Sequence, residues 1–299
     1  MPTAEVQRQT TAAYDLYLPE TITCPLVVDS PHSWNAYPEG FHPACARNDL
    51  LTSWDAWIDE LFDCTPRLGA PLLAARFPRF FLDLNRGRDD IDPDIVQGDL
   101  PFPLRPTDKT AKGFGLLRRY ALPGVAVYDA AIPAARLLRD IETYYDPYHE
   151  KLRDLVDHAR NCFGGVVHLD CHSMKSRGNA MNDDNGAARP DVVVSDNFGR
   201  TASPDLTARL AALFTEAGLR TQVNDPYKGA ELIRRHDSPS DNRHSLQIEL
   251  NRALYMDEAA FEKSGNFVDL KRQIDWVLTT FADEMSVAWP KKTQIARGM

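Results

Sequence analysis

The sequence predicts an α/β protein built as a single domain, and three observations carry that expectation. Short apolar runs rich in β-branched residues alternate with longer amphipathic stretches along all 299 residues, the signature of strands alternating with helices. No composition shift or Pro/Ser-rich linker divides the chain, and no internal repeat is present. Length over ~150 gives a first guess of about two domains, yet α/β units of roughly 200–300 residues are common as one.

The first strand is expected in PLVVDSPHS at 25–33, where the β-branched run breaks at Ser30-Pro31. Residues 53–69 read as a helix: Trp54, Ile58, Leu61 and Phe62 have core spacing, Thr52 or Ser53 can cap it, and Pro66 and Gly69 stop it. PLLAARF and RFFLDLNR, within 71–86, form a second β region. Between 88 and 112 Asp, Pro and Gly accumulate without an apolar period, which marks a long loop of the kind that often carries function. An amphipathic helix at 131–162, interrupted near Pro147, feeds the glycine-led strand GGVVHLDCHS at 164–173. A Gly/Asn/Asp-rich loop precedes a strand at 190–196. A helix at 203–218, a strand at 219–224, a turn with Pro226 and Gly229, and a strand at 244–250 follow. A last helix at 257–286 leaves 290–299 as a loose tail.

Composition narrows the function classes. The 43 acidic side chains outnumber 34 basic ones, for a net charge of −9, so no basic stripe for a phosphate backbone is expected and nucleic acid is excluded as main partner. Five scattered cysteines without a C-x-x-C pair indicate neither a disulfide framework nor a zinc ribbon. The first twenty residues lack a basic-then-apolar leader, and no apolar run approaches the ~20 residues of a membrane span. A reduced, cytoplasmic protein without a membrane partner is the expectation.

Three strand ends carry polar residues, and open α/β sheets bind ligands beyond the carboxyl ends of their strands. The first delivers His32 after Asp29-Ser30-Pro31, and the second delivers His172 within Asp170-Cys171-His172-Ser173. Each histidine alone would pass for a core residue; two in similar settings suggest metal ligands. A catalytic zinc takes three protein ligands and keeps a position open, so a carboxylate must complete the set. Asp55 and Asp59, four apart on the helix face that continues Ile58 and Phe62, are the candidates; Asp55 is preferred, although it also complements a helix dipole. On the third strand Glu249 lies between Ile248 and Leu250. A carboxylate buried there is costly unless paired or functional, and beside a metal it is a natural general base. Asp83-Leu84-Asn85-Arg86 offers a guanidinium fork flanked by groups that can orient their neighbours, and Asn85 is also assigned to the substrate. Tyr227, Lys228, Arg234 and Arg235 could line a pocket for an anionic substrate. Tyr148-His149 is either a core pair or support for the site, while Lys175, Arg177, Arg118 and Arg119 read as solvated charges.

SPHS, DLNR, PYH, DCHSM, NDPYKG, LQIELNR and YMDE occur in this order over residues 25–260. As a set they resemble the N-formylglutamate amidohydrolase family, itself similar to zinc carboxypeptidases and aspartoacylase. The resemblance implies a zinc-carboxypeptidase-like (phosphorylase/hydrolase-like) mixed sheet flanked by helices, with one Zn2+ per chain at the strand ends. It implies hydrolysis of the N-acyl amide of a small anionic amino acid, giving formate and glutamate in histidine breakdown. By that resemblance His32 and His172 are metal ligands, Glu249 is the catalytic base, and Arg86 holds a substrate carboxylate or polarises the carbonyl. Asn35 stands where relatives carry the acidic ligand, which leaves Asp55 to supply it. Trp34 replaces an expected glycine and is expected to narrow the pocket beside His32. Three alternatives stay open. The same metal centre could act on another N-acyl amino acid or a short peptide. Ser173 or Cys171 could serve a nucleophilic hydrolase, although no G-x-S-x-G elbow surrounds them. A non-catalytic small-acid binding protein is the third.

Overall fold

In the computed structural model, which describes residues 6–178 and 186–292, eight strands form one mixed sheet. They are β1 (Val6–Thr10), β2 (Tyr14–Pro19), β3 (Leu26–Ser30), β4 (Leu72–Ala75), β5 (Val166–Met174), β6 (Val192–Ser195), β7 (Thr221–Val223) and β8 (Arg243–Asn251). Their spatial order is β1-β2-β4-β3-β5-β8-β6-β7. The four central strands β4, β3, β5 and β8 run parallel, and β2 and β6 pair antiparallel at their flanks. All carboxyl ends of the central strands therefore open on one edge.

The helices are α1 (Arg47–Leu51), α2 (Ile58–Leu61), α3 (Asp108–Ala111), α4 (Ala134–Asp140), α5 (Asp146–Phe163), α6 (Pro204–Glu216), α7 (Glu231–Arg235) and α8 (Phe267–Ala288). On one face of the sheet Leu26, Val28, Val167, Leu169, Leu246 and Ile248 pack under α6 and α8 through Leu213, Phe214, Ile274 and Phe281. On the other, Val27, Leu73 and Val166 meet α4 and α5 through Leu137, Tyr148, Leu152 and Val156. Side chains alternate between faces. That period places His168, Asp170 and His172 of β5, and Ser245, Gln247 and Glu249 of β8, on this second face, all buried. The parallel register sets Gln247 beside Asp170 and Glu249 beside His172. Both core strands thus carry an apolar face and a polar one.

Several boundaries differ from the sequence expectation. The helix expected at 53–69 is reduced to α2 and a 3-10 turn at Thr65–Leu68, with α1 lying before it. Tertiary bonds override helix propensity there: the Asp55 N–H donates to the His32 carbonyl (3.2 Å) and the Asp59 N–H to Ser33 Oγ (3.1 Å). Asp55 accordingly lies in the turn before α2, outside any helical turn. Only Leu72–Ala75 of 71–86 is strand; Phe77, Phe80, Phe81 and Leu84 are buried in a turn. The long helix is interrupted by a π turn at Ile141–Tyr145, just before Pro147. Residues 257–266, expected in the last helix, instead include a short strand pair, Met256–Asp257 with Glu262–Lys263. In the tail, the Lys292 N–H donates to the Cys162 carbonyl. Residues 179–185 of the Gly/Asn/Asp-rich loop, and 293–299, lie outside the described residues. No described helix is long and apolar enough to cross a membrane.

Candidate metal centre

Each polar strand end delivers one component of a single site. His32 follows β3, His172 sits near the end of β5, and the turn after α1 carries Asp55 to both. His32 Nδ1 and His172 Nδ1 are 3.1 Å apart. Asp55 Oδ2 lies 3.3 Å from the first and 3.0 Å from the second. Ligands of one tetrahedral ion at bonds of about 2.0–2.1 Å stand about 3.3 Å from one another, so these three donors have the spacing of a shared ion. Each outer nitrogen faces a carboxylate: His32 Nε2 is 3.0 Å from Asp83 Oδ1, and His172 Nε2 is 2.7 Å from Asp170 Oδ1, as charge pairs and not as aligned hydrogen bonds. Carboxylates at that position orient metal-binding imidazoles and raise their basicity. Among the described residues, His32, Asp55 and His172 are the group of this kind that could hold a metal ion.

Charge at the site is finely opposed. Burial alone would raise the Asp55 carboxyl, but hydrogen bonds with His172 and His32 and the charges of Arg79 and Arg252 hold it well below the usual carboxylate range. Arg252 reaches Asp55 Oδ1 at 2.9 Å, and its Nε donates to Ser173 Oγ at 2.9 Å. Arg79 donates to Asp83 Oδ2 at 2.9 Å. Burial, partly offset by His172, pushes Glu249 up to about 7. Gln247 Nε2 donates to Glu249 Oε1 at 2.9 Å, leaving Oε2 for chemistry. Despite the burial that opposes it, Asp170 and Asp55 raise His172 well above the ordinary histidine value. A field that favours a proton there also favours a cation.

The centre opens on a cavity of about 540 Å3 lined by His172 and Glu249. Arg79, Arg86, Arg118, Arg189, Arg252, Lys109, Lys112, Lys175 and Lys228 also line it, against Asp108 and Glu249 as its carboxylates. A chain of net charge −9 thus presents a strongly cationic pocket. Burial and the Arg252 charge bring Lys175 down to about 8.

Of the residues assigned from sequence, Tyr227, Lys228, Asn85 and Arg86 line this cavity. Asn85 is committed internally: Nδ2 reaches His172 Nε2 and Gln247 Oε1, both at 3.2 Å, and Oδ1 accepts from the Leu232 N–H. Arg86 donates to the carbonyls of Phe114 and Asn85. Arg234 and Arg235 are not among the lining residues. Arg234 is exposed and pairs with Glu231, and Arg235 donates to Tyr145 Oη at 2.9 Å, because α7 turns its basic side outward while Leu232 and Ile233 pack inward. Asp59 stays apart from the donor cluster. Trp34 does not narrow the pocket; its ring stacks under Arg76, 4.7 Å from the guanidinium. Asn35 is half-buried and accepts from Arg47. Arg118, Lys175, Arg79 and Arg252 were not legible as site residues, although Arg252 ends the LQIELNR string. Tyr148 and His149 are buried: Tyr148 Oη donates to Asp29 Oδ2 at 2.8 Å, and His149 Nε2 lies 3.1 Å from the Leu84 carbonyl.

A curated N-formylglutamate deformylase of Pseudomonas aeruginosa is 29% identical over 240 residues, covering 79% of this chain and 84% of that protein. The crystal structure of an N-formylglutamate amidohydrolase from Ralstonia eutropha JMP134 superposes with a TM-score of 0.87 at 37% identity, covering 93% of this chain and 99% of that one. A gene product of Agrobacterium tumefaciens shares the fold at 16% identity and a TM-score of 0.62, covering 96% of this chain and 95% of that one. A sequence model of N-formylglutamate amidohydrolases matches residues 24–256, a span that takes in His32, Asp55, His172 and Glu249. On that match, together with the Ralstonia likeness, the chain belongs to the N-formylglutamate amidohydrolase family.

Proposed function

We propose that this protein hydrolyses N-formyl-L-glutamate to formate and glutamate, with one zinc ion held by His32 Nδ1, His172 Nδ1 and Asp55. The observation that carries the reading is the three-donor cluster of metal spacing beside Glu249, on the wall of a cationic cavity. Zinc in such a site supplies Lewis acidity and brings a water pKa to about 7. Glu249 Oε2 takes a proton from the water that adds to the formyl carbon. As the C–N bond breaks, the same oxygen returns that proton to the leaving amine, so one carboxylate serves both steps. A pKa near neutrality suits both duties. Arg86, its Nε and Nη1 anchored on carbonyls, has Nη2 left to face charge growing on the substrate oxygen.

The test is formate release and metal content in zinc-supplied wild type and in the His32→Ala/His172→Ala pair. About one zinc per chain with turnover in wild type, both lost in the variant, is expected. Formate release unaffected by the double substitution would overturn the metal assignment. Failure of the metal-loaded protein on N-formylglutamate would overturn the substrate. A cavity of about 540 Å3 lies in the range that encloses drug-sized ligands, which favours one second reading: the same chemistry on a larger N-acyl amino acid. A panel of formyl, acetyl and succinyl glutamates separates the two.

A further inference from the structure

Five arginines reach the cavity with most of their surface buried, and four are spoken for. Arg79 binds Asp83, Arg252 binds Asp55 and Ser173, Arg86 binds two backbone carbonyls, and Arg189 donates to the Lys175 carbonyl. Arg118 differs. It is 6% exposed and lines the cavity, yet its Nε has no hydrogen-bond partner and no described carboxylate pairs with it. Its guanidinium lies over the Phe114 ring, 4.9 Å from the centroid. That ring supports one side of the plane and accepts no N–H from its edge. Arg119, the next residue, turns outward and pairs with Asp92, so the unpaired state belongs to one position and not to the segment.

A buried guanidinium without an anion is costly, and here Nε has lost water and gained no acceptor. Burial, reinforced by the nearby Arg79 charge, brings Arg118 down to about 9, the direction expected of a cation short of a counter-charge. The missing partner must come from outside the chain. Its chemistry is set by the receptor: a planar fork in a cationic pocket fits a carboxylate held by two parallel bonds.

We infer that Arg118 is the receptor for a carboxylate of the substrate, and that it selects acidic N-acyl amino acids over neutral ones. The inference deepens the proposed function and rests on it for the identity of the substrate. A substrate with α- and γ-carboxylates offers two sources of the same chemistry, which selective amidation separates.

Zinc-loaded wild type and Arg118→Gln are to be compared on N-formyl-L-glutamate, N-formyl-L-glutamine and N-formyl-L-isoglutamine. Loss of a buried charge partner predicts a fall in kcat/KM of about 100-fold on the diacid, mostly through KM. On one of the two amides the variant should match wild type within about threefold, and that amide identifies the carboxylate bound. A fall under threefold on the diacid, or an equal fall on all three compounds, would overturn the inference.

Melting curves with glutarate, a bare dicarboxylate, give a readout independent of turnover. Wild type should gain melting temperature with glutarate and Arg118→Met should not. Without ligand the methionine variant should melt higher than wild type by about 2–4 °C, because an unpaired buried charge is gone. Equal responses to glutarate sink the inference. An Arg118-dependent response in a protein inactive on every N-formyl compound would sink the proposed function and leave the carboxylate receptor standing.

Discussion

Glu249 has apolar neighbours on both sides in β8 and still faces a polar cavity, because alternation gives each residue of a strand a face of its own. That made it legible: a carboxylate amid Leu246, Ile248 and Leu250 is too costly to lack a role. His32 and His172 were legible for the same reason, as polar ends of β-branched runs. Replacing Glu249 with Gln should lower turnover by about 10²–10⁴-fold, the usual worth of a positioned general base. Zinc content should stay at one per chain, and metal loss in that variant would show a structural role instead. The arginines were harder to read. Arg79 and Arg118 stand in ordinary loop strings, where local sequence does not distinguish a buried cation from a solvated one. Arg79 lies against Asp83 and Asp55, and Arg118 over the Phe114 ring, contacts that no local pattern announces.

At the scale of elements, the turn 83–86 lies against both imidazoles, with Asp83 Oδ1 beside His32 Nε2 and Asn85 Nδ2 beside His172 Nε2. It is held from behind by the helix pair α4–α5. Tyr145 Oη donates to the Arg86 carbonyl at 2.7 Å, and His149 lies against that of Leu84. Tyr145 closes the π turn, an irregularity common near functional sites. Tyr145→Phe should cost about 1–2 kcal/mol in denaturant unfolding, the price of stripping a buried carbonyl of its donor, and should also lower kcat. Unchanged kcat with lowered stability would confine the turn to a structural role. The strands at 164–173 and 244–250 and the helix at 203–218 were readable because apolar period and burial coincide. The helix expected at 53–69 was not, because hydrogen bonds to the end of β3 pull Asp55 out of the helical path. No local pattern announces a bond to a residue twenty positions away.

For the molecule as a whole, charge is partitioned: a net −9 chain encloses a cationic pocket. Attraction between a dianionic substrate and that pocket should weaken as salt screens it, so raising ionic strength from ~0.05 to ~0.5 M should raise KM several-fold and leave kcat little changed. A KM insensitive to salt would argue against a charged ligand. Acid should destabilise the fold through histidines buried as neutral rings. Burial, with His168 and Arg235 nearby, brings His236 down to about 2, whereas the unfolded chain takes up that proton near pH 6.5. The folded state binds fewer protons, so stability is full above pH 6.5 and falls below it, by about 1.4 kcal/mol per pH unit from this ring. His236→Gln should flatten that slope between about pH 6 and 4 in urea titrations; an unaltered slope would mean the ring is protonated in the fold.

The alternation along β8 has a consequence for anyone who would re-engineer this scaffold. Removing or inserting one residue ahead of Gln247 exchanges the two faces of the strand downstream. Ile248 or Leu250 then meets the metal centre and Glu249 enters the packing under α6 and α8. A chain with that slip loses its chemistry and its hydrophobic interior in the same event, so no inactive but well-folded slipped product should accumulate. Grafting new active-site groups into this strand must therefore proceed in steps of two residues, and folding yield alone would report whether the reading frame of the sheet has been kept.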